Sequence, residues 1–259
     1  MGLQQIVDID AYPVLDRAFR DKCKITLDRT GALILPSFLS PNAIAAIYKE
    51  GQDSRDRAYF CKQKHNVYLT EPDPNLPPDH PRNREVLSSK GCICDDVVAV
   101  DSPLRQLYNS EEFKSFLCAV LSEQALYEYA DTLSSINLHY ADPGQELGWH
   151  FDNSSFAITL MIEAPEQGGG FEYVRRVRNF EKGDPNYKGV ESVLDGYAPV
   201  QTLNMQPGAL VLFRGRDSLH RVAPVEGLKT RMLVVLAYNK EPGVALSESA
   251  RQTFFGRMS

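Results

Sequence analysis

The chain has 259 residues, 43% of them hydrophobic, so it is long enough to bury one sizeable core and still to form a pocket. Its formal net charge of -6 argues against a nucleic-acid partner, because phosphate binding needs a clustered excess of lysine and arginine. We therefore expect one catalytic domain, residues 1–259, that acts on a small polar molecule.

The N-terminal residues and the cysteines bear on the cellular compartment. Residues 1–10 contain no long apolar run, so they predict neither a secretory signal nor a membrane anchor. The five cysteines form an odd set without a CxxC pair, which favours reduced thiols over a disulfide framework. Cys92 and Cys94 form a single CxC, which is a weak metal signal, and we interpret both as structural. We expect a cytoplasmic protein with no membrane partner.

The start of the chain predicts two helices around a short strand. Apolar residues recur at helical spacing between residues 12 and 24. Gly31 then opens an apolar run, residues 32–35, that predicts a strand. Ser40 followed by Pro41 is typical of a helix N-cap and first helical position.

The following segment predicts a loop and a further helix. Five prolines within residues 71–84 indicate an extended loop. Residues 110–129 have helical spacing again. We therefore interpret residues 1–130 as a helical or mixed support region.

The pattern changes to short apolar or alternating runs in residues 131–259, separated by Gly, Pro and Asn turns. This pattern is typical of a β-sandwich or barrel. The charged stretch 175–197 interrupts it and predicts an inserted surface loop, a kind of segment that often covers active sites. The predicted strands are Ile136–Tyr140, Phe156–Ile162, Gly170–Val174, Val200–Leu203, Leu210–Phe213 and Met232–Tyr238.

Three residues of this β region form a candidate metal site. Residues i and i+2 of an extended strand point to one face, so His150 and Asp152 can present an imidazole and a carboxylate to one point. His220 is the only histidine downstream and can supply a third ligand. Two imidazoles and one carboxylate on one face of a metal leave the other positions open, as in non-haem iron(II) oxygenases.

Arg231 is a candidate anchor for an acidic cosubstrate. It is the single charge at the head of an apolar strand, where an unpaired charge would cost several kcal/mol. The open positions of the metal suit a bidentate 2-oxo acid and dioxygen. Because a guanidinium matches a carboxylate in bidentate geometry, Arg231 can hold the distal carboxylate of 2-oxoglutarate.

These residues resemble the iron(II)- and 2-oxoglutarate-dependent oxygenases, which share the order His-x-Asp, distal His and then Arg on the next strand. Segments 148–154, 168–174 and 220–225 look like the subgroup of radical halogenases and hydroxylases that act on free amino acids, notably lysine. The resemblance implies a mainly β (α+β) double-stranded β-helix, a cupin-like jelly roll, with N-terminal helices. It implies iron(II), 2-oxoglutarate and dioxygen as cofactors and cosubstrates.

The resemblance also bears on the reaction. Halogenases of the subgroup carry Gly in place of the metal-binding carboxylate, which leaves a coordination position for chloride. Asp152 is present here and would occupy that position, so hydroxylation is favoured over chlorination.

Several further residues are candidates for binding the cosubstrate or the substrate. Asn137 and His139 share a strand face just before the motif, and either can contact 2-oxoglutarate or substrate, while His139 can equally be a structural imidazole. Asn239 lies on the same face as Arg231 if that strand is unbroken. The resemblance places Asn153, which stands where halogenases have an acidic residue, near a substrate amine.

The resemblance assigns two more pairs. An arginine of the 80–84 loop, Arg82 or Arg84, would hold the amino-acid carboxylate, although loop arginines are usually solvated. Phe254 and Phe255 correspond to paired aromatic residues over the substrate amine, where Trp is usual, and can equally be packing residues.

We therefore expect a dioxygenase that hydroxylates an unactivated C–H bond of a free amino acid or related metabolite. The same oxidant could act as a desaturase or cyclase, or on a carrier-tethered or protein-borne residue. A protein of this fold that only binds a ligand is the non-enzyme alternative.

Overall fold

The computed structural model describes residues 2–259, so Met1 of the predicted domain lies outside the described part. Within residues 2–259 the chain forms thirteen strands and seven α-helices. The helices are α1 (Leu3–Ile6), α2 (Arg17–Thr30), α3 (Pro41–Asp53), α4 (Pro103–Asn109), α5 (Glu111–Leu121), α6 (Tyr187–Leu194) and α7 (Glu248–Phe255). The strands are β1 (Ala32–Leu35), β2 (Tyr59–Asn66), β3 (Glu85–Ile93), β4 (Ile136–Ala141), β5 (Leu147–His150), β6 (Ala157–Glu163), β7 (Gln167–Gly168), β8 (Phe171–Val174), β9 (Gln201–Leu203), β10 (Leu210–Phe213), β11 (Leu219–Val222), β12 (Val225–Glu226) and β13 (Arg231–Leu236).

Eleven strands form one curled antiparallel sheet, which confirms the predicted mainly β jelly-roll fold. The strand order is β1-β10-β6-β13-β4-β3-β5-β11-β8-β9, and β2 pairs with β3 outside this path. Strands β7 and β12 form a separate two-stranded sheet. The six strands predicted between residues 136 and 238 are all present, and their ends differ from the predictions by at most two residues.

The helices at the start of the chain begin and end where the local sequence satisfies their exposed backbone groups. The Asp16 side chain accepts from the backbone N–H of Phe19 to begin α2, and Gly31, with φ of 77°, ends it. Helix α2 therefore lies later than the predicted 12–24. Ser40 caps α3 as predicted. None of these seven helices has the length and apolar character of a membrane span.

The predicted helix 110–129 is wrong in its second half. Helix α5 ends at Leu121, because Ser122 adopts a left-handed conformation with φ of 65° and its backbone N–H bonds to the carbonyl of Cys118. The apolar residues of α5 and of its neighbour α2 pack against each other in the largest core cluster.

The predicted support region contributes three strands to the main sheet. Strand β1 pairs with β10, and β3 pairs with β2, β4 and β5. Sequence alternation missed β3 because Ser88, Ser89 and Lys90 interrupt its apolar residues. Residue 130 is therefore not a boundary within the sheet.

The insertion 175–197 is not an open surface loop, contrary to the prediction. It contains α6, which Asn186 caps by accepting from the Gly189 backbone N–H. Val190 and Val193 of this helix are buried in one cluster with Trp149 and Phe151, which flank His150 in the sequence. The insertion therefore packs against the segment that carries the predicted metal ligands.

Helix α2 offers a test of the packing in the main core. Leu27 is fully buried in the main core, whereas Ile25 of the same helix is 66% exposed. We expect Leu27→Ala to lower the free energy of unfolding by about 2–5 kcal/mol, because it removes buried methyl groups and leaves a cavity. The matched change Ile25→Ala should alter it by no more than about 0.5 kcal/mol. Equal losses in urea titrations of the two variants would contradict this packing.

Candidate metal and cosubstrate site

The three predicted metal ligands lie together where β5 and β11 pair. The register of these strands places His150 opposite His220. A carboxylate oxygen of Asp152 lies 3.4 Å from Nε2 of His220 and 3.9 Å from Nε2 of His150. One ligand atom from each residue lies within 4.8 Å of the others, so the three can hold one metal ion.

Asp152 reaches this point from a loop and not from the strand that we predicted. Strand β5 ends at His150, and the backbone N–H of Asp152 donates to the carbonyl of Gly215, 3.1 Å away. A loop-to-loop hydrogen bond therefore sets the position of the carboxylate. The other imidazole ligand, His220, lies in β11 as a buried residue.

The backbone fixes the orientation of both imidazoles. Nδ1 of His150 lies 2.8 Å from the carbonyl oxygen of Gly148, and Nδ1 of His220 lies 3.0 Å from that of Ser218. A carbonyl oxygen can only accept, so each Nδ1 carries the proton and each Nε2 keeps a free lone pair. Burial, with the nearby His220, lowers the pKa of His150 well below its usual range, so it is a neutral donor at neutral pH.

Asp152 has the properties of a metal-binding carboxylate. Burial raises its pKa, but the adjacent His220 and His150 outweigh this effect, so the net pKa is lowered and the group is ionised. Its Oδ2 atom is buried and has no hydrogen-bond partner among the described residues. The other oxygen, Oδ1, faces Nε2 of both imidazoles, and two imidazole nitrogens with one carboxylate oxygen form a donor set that fits a metal ion.

Gly215 leaves the room that this carboxylate occupies. A Cβ atom at position 215 would lie 1.7 Å from Oδ2 of Asp152, well inside van der Waals contact. Sequence analysis did not identify Gly215, because only the folded chain brings the two loops together.

Arg178, in the insertion 175–197, contacts the loop that carries Asp152. It stacks 4.1 Å above the ring of Phe151 and donates to the carbonyl oxygens of Arg216 and Asp152, at 2.7 and 3.3 Å. The charged stretch 175–197, which contains it, predicted an inserted surface loop. In the structure, Arg178 instead connects the insertion to the loop that carries Asp152.

Arg231 begins β13 as a buried cation without an anion. It is 3% exposed, and its Nε and Nη2 atoms have no hydrogen-bond partner among residues 2–259. Burial lowers its pKa to about 10, so the guanidinium remains charged at neutral pH. Leaving such donors unpaired is unfavourable, and a carboxylate would satisfy them.

His139 and Asn137 lie on the strand beside Arg231, but in different roles. The Asn137 amide donates to the carbonyl oxygens of Leu133 and Ile136, so it fastens the entry to β4. His139 lies beside Lys90, whose Nζ atom is 3.3 and 3.4 Å from the two ring nitrogens. Burial, then the charges of Lys90 and Arg231, lower the pKa of His139 well below 6.5, so the ring is neutral.

The two loop arginines proposed for a substrate carboxylate have partners in the protein. Arg84 forms an ion pair with Asp195 at 2.6 Å. Arg82 donates to the carbonyl oxygen of Glu71 at 2.9 Å and lies over the ring of Tyr68. Its Nη1 atom is buried and unpaired.

Asn239, but not Asn153, lines a pocket of about 220 Å³ that Ser154, Ser155 and Arg216 also line. Asn153 is exposed, and its carbonyl oxygen accepts from Arg216. Asn239 lines the pocket, but the expected unbroken strand is wrong, because β13 ends at Leu236. The backbone of Asn239 instead pairs with that of Tyr127.

Phe254 and Phe255 lie in α7, beside β3. Phe255 is buried in a cluster with Cys92 and Cys94, which confirms these two thiols as packing residues. Phe254 covers the ammonium of Lys90, 5.7 Å from the ring centroid. Lys90 could not be predicted from the sequence. The polar residues of β3 interrupt the apolar alternation that would show which face of the strand each side chain is on.

A family model described as halogenase D matches residues 79–253. No curated protein matches the chain.

Similar solved structures include HygX from Streptomyces hygroscopicus, solved with nickel, 2-oxoglutarate and hygromycin B (13% identity, TM-score 0.57, 95% of this chain and 98% of that chain). The carbocyclase SnoK of nogalamycin biosynthesis is similar at 12% identity and TM-score 0.61 (92% and 90%). A prolyl-4-hydroxylase from Pseudomonas putida is similar at 13% identity and TM-score 0.52 (83% and 96%). At these identities the likeness concerns the fold.

Gly215→Ala tests the metal site. We expect metal affinity to fall by about tenfold or more, because the added methyl group displaces Asp152, and changes around metal ligands commonly have effects of this size. The affinity for manganese(II) can be measured by calorimetry. Gly170→Ala is the matched control, since its Cβ would meet only Thr202, at 3.5 Å. Unchanged metal affinity in Gly215→Ala would contradict the assigned role of Asp152.

Proposed function

The chain belongs to the halogenase D family, and from this membership we propose that it is an iron(II)- and 2-oxoglutarate-dependent dioxygenase. Its reaction would be hydroxylation of an unactivated C–H bond in a free amino acid or related small metabolite. The observation that carries the proposal is the metal-binding group His150, Asp152 and His220 together with the unpaired guanidinium of Arg231 in one fold.

Each of the four residues would have a distinct task. His150 and His220 would hold iron(II) through Nε2, and Asp152 would hold it through a carboxylate oxygen. Iron(II) bound there, with 2-oxoglutarate and dioxygen, supplies the oxidising chemistry that attacks a C–H bond. Arg231 would pair with the distal carboxylate of 2-oxoglutarate and so orient the cosubstrate.

Asp152 is the reason to propose hydroxylation for a member of a family described as a halogenase. Its carboxylate would occupy the metal position that a chloride ligand needs, and Gly215 leaves room for it. With Asp152 retained, the three protein ligands would fill all three positions on one face of the metal, so a halide could not bind there. The proposed product therefore gains oxygen and not chlorine.

Other outcomes of the same oxidation remain alternatives. The similar structures include a carbocyclase and a prolyl hydroxylase, so cyclisation, desaturation and a protein-borne or tethered substrate are the competing reactions. A protein that only binds a ligand is a weaker alternative, because such a protein has little need of both a metal-binding group and an unpaired buried arginine.

A product screen tests the reaction. The protein is loaded with iron(II) and 2-oxoglutarate without oxygen, then exposed to oxygen with each free amino acid, while succinate and product mass are measured together. We expect a gain of one oxygen atom with stoichiometric succinate. Loss of two hydrogens with coupled succinate would indicate a desaturase or cyclase, and no coupled turnover would favour a tethered substrate.

Arg231→Met tests the cosubstrate anchor. We expect 2-oxoglutarate affinity to fall by about tenfold to a hundredfold, because a charge-assisted bidentate contact is lost while side-chain volume is roughly retained. Arg55→Met is the control, since Arg55 is an arginine of intermediate burial that already pairs with Asp142 at 2.6 Å. Calorimetric titration that gives the same 2-oxoglutarate affinity for Arg231→Met and wild type would refute the anchor.

Chloride dependence tests the role of Asp152. With a turned-over substrate, we expect wild-type product to carry oxygen at every chloride concentration, because the carboxylate retains its metal position. Mass spectrometry distinguishes oxygen from chlorine incorporation directly. A chlorinated product from the wild-type protein would show that Asp152 does not exclude halide.

A further inference from the structure

The proposed metal ligand His150 is connected to the support region by a chain of hydrogen bonds that crosses three strands. The carbonyl oxygen of Gly148 lies 2.8 Å from Nδ1 of His150, so the position of this carbonyl sets the orientation of the ring. The backbone N–H of Gly148 donates to Oγ of Ser88 in β3, at 3.0 Å. The same Oγ atom lies 2.7 Å from Nε2 of His65 in β2. The orientation of His150 therefore depends on side chains of two neighbouring strands.

The direction of these hydrogen bonds follows from the atom at the far end of the chain. Nδ1 of His65 lies 3.0 Å from the carbonyl oxygen of Asn66, which can only accept, so Nδ1 carries the proton. Nε2 of the neutral ring is then an acceptor and takes the hydroxyl hydrogen of Ser88. The lone pairs of that hydroxyl remain for the N–H of Gly148. Both ring nitrogens of His65 are thereby used within the protein, so the ring has no polar atom left to bind a ligand.

Ser88 can bridge the two strands because β3 lies between β2 and β5 at this point. It pairs with Gln63 of β2 on one side and with Leu147 of β5 on the other. The register of β3 with β5 consists of that one residue pair, so the Ser88 hydroxyl adds a second link between these strands. A Cβ atom at position 148 would lie 2.5 Å from the carbonyl oxygen of Leu87, so Gly148 permits this close approach.

The turn after β2 also contacts the chain on the other side of His150. The backbone N–H of Phe151 donates to the carbonyl oxygen of Val67, at 2.9 Å. Val67 and Phe151 are fully buried in one cluster, and the ring of Tyr68 lies 5.5 Å from that of Phe151. Residues 65–68 therefore fix the backbone at one point before His150 and at one point after it.

We propose that Ser88 and His65 are positioning residues for the metal ligand His150: they hold Gly148 so that its carbonyl oxygen remains directed at Nδ1 of that ring. This inference rests on the proposed function and deepens it. Ser88 lies within residues 79–253, which the family model matches, whereas His65 lies before them. The support region thus takes part in metal binding through a residue outside the matched segment.

Ser88→Ala tests this role against a matched control. We expect manganese(II) affinity, measured by calorimetry, to fall by about three- to tenfold, less than for a residue that contacts a metal ligand directly, because Ser88 acts through Gly148. The visible absorption bands of the cobalt(II)-loaded protein should shift, since they report on ligand geometry. Ser89→Ala is the control. Ser88 and Ser89 are each 6% exposed, and Ser89 accepts from the backbone N–H of Glu146 at 3.4 Å, away from the path to His150. Ser89→Ala should leave the cobalt(II) spectrum unchanged and the manganese(II) affinity within about twofold of wild type.

Variants of His65 distinguish the hydrogen-bond chain from packing. His65→Leu lacks an acceptor and should lower manganese(II) affinity as much as Ser88→Ala does. His65→Gln can place an amide oxygen near the position of Nε2 and should restore most of that loss. The double variant of Ser88→Ala with His65→Leu should lose no more affinity than Ser88→Ala alone, because both changes break one chain. Urea titrations show that each variant is folded where its affinity is measured. If His65→Leu does not fold, the comparison of Ser88→Ala with Ser89→Ala decides.

Three results would overturn the proposal. Wild-type affinity with an unchanged cobalt(II) spectrum in Ser88→Ala would show that Gly148 needs no such support. Equal losses in Ser88→Ala and Ser89→Ala would indicate a general effect on the sheet. Fully additive losses in the double variant would show that His65 does not act through Ser88. Failure of the wild-type protein to bind manganese(II) is seen before any variant is compared, and it would overturn the proposed function and this inference with it.

Discussion

The antiparallel pairing of β5 with β11 is the constraint on which the site depends. It sets His150 opposite His220, and the adjoining loops then bring the carboxylate of Asp152 between the two imidazoles. A shift of one residue in this register would turn one imidazole to the other face of the sheet and abolish the metal-binding group. The backbone carbonyls of Gly148 and Ser218 complete the arrangement, because they orient each ring through Nδ1.

A second feature of the site is that cationic side chains are buried in the sheet without a carboxylate partner. Within residues 2–259, Arg231 is held in the sheet without a carboxylate, and Lys90, beside His139, forms no ion pair with one. The fold tolerates this cost only if the stability of the remaining core is sufficient, and the extensive main cluster of buried residues supplies such a core. Ligands that satisfy these cations would stabilise the folded protein as well as place the reacting groups.

The sequence allowed the grouping of His150, Asp152 and His220 and the burial of Arg231 to be predicted, because residue type and local order indicate both. It also predicted most of the core strands, whose apolar runs reflect burial directly. It could not predict Lys90, Gly215 or Arg178. The importance of Gly215 arises from the approach of a distant loop, and that of Lys90 from which face of β3 turns toward His139, and neither relation is visible in local periodicity.

Metal-dependent binding of 2-oxoglutarate tests the account most directly. Calorimetric titrations of 2-oxoglutarate would be made without oxygen, with and without iron(II). We predict stoichiometric binding that requires the metal, because the cosubstrate must contact both the metal held by His150, Asp152 and His220 and the guanidinium of Arg231. Binding that is independent of the metal, or no binding in its presence, would contradict the account.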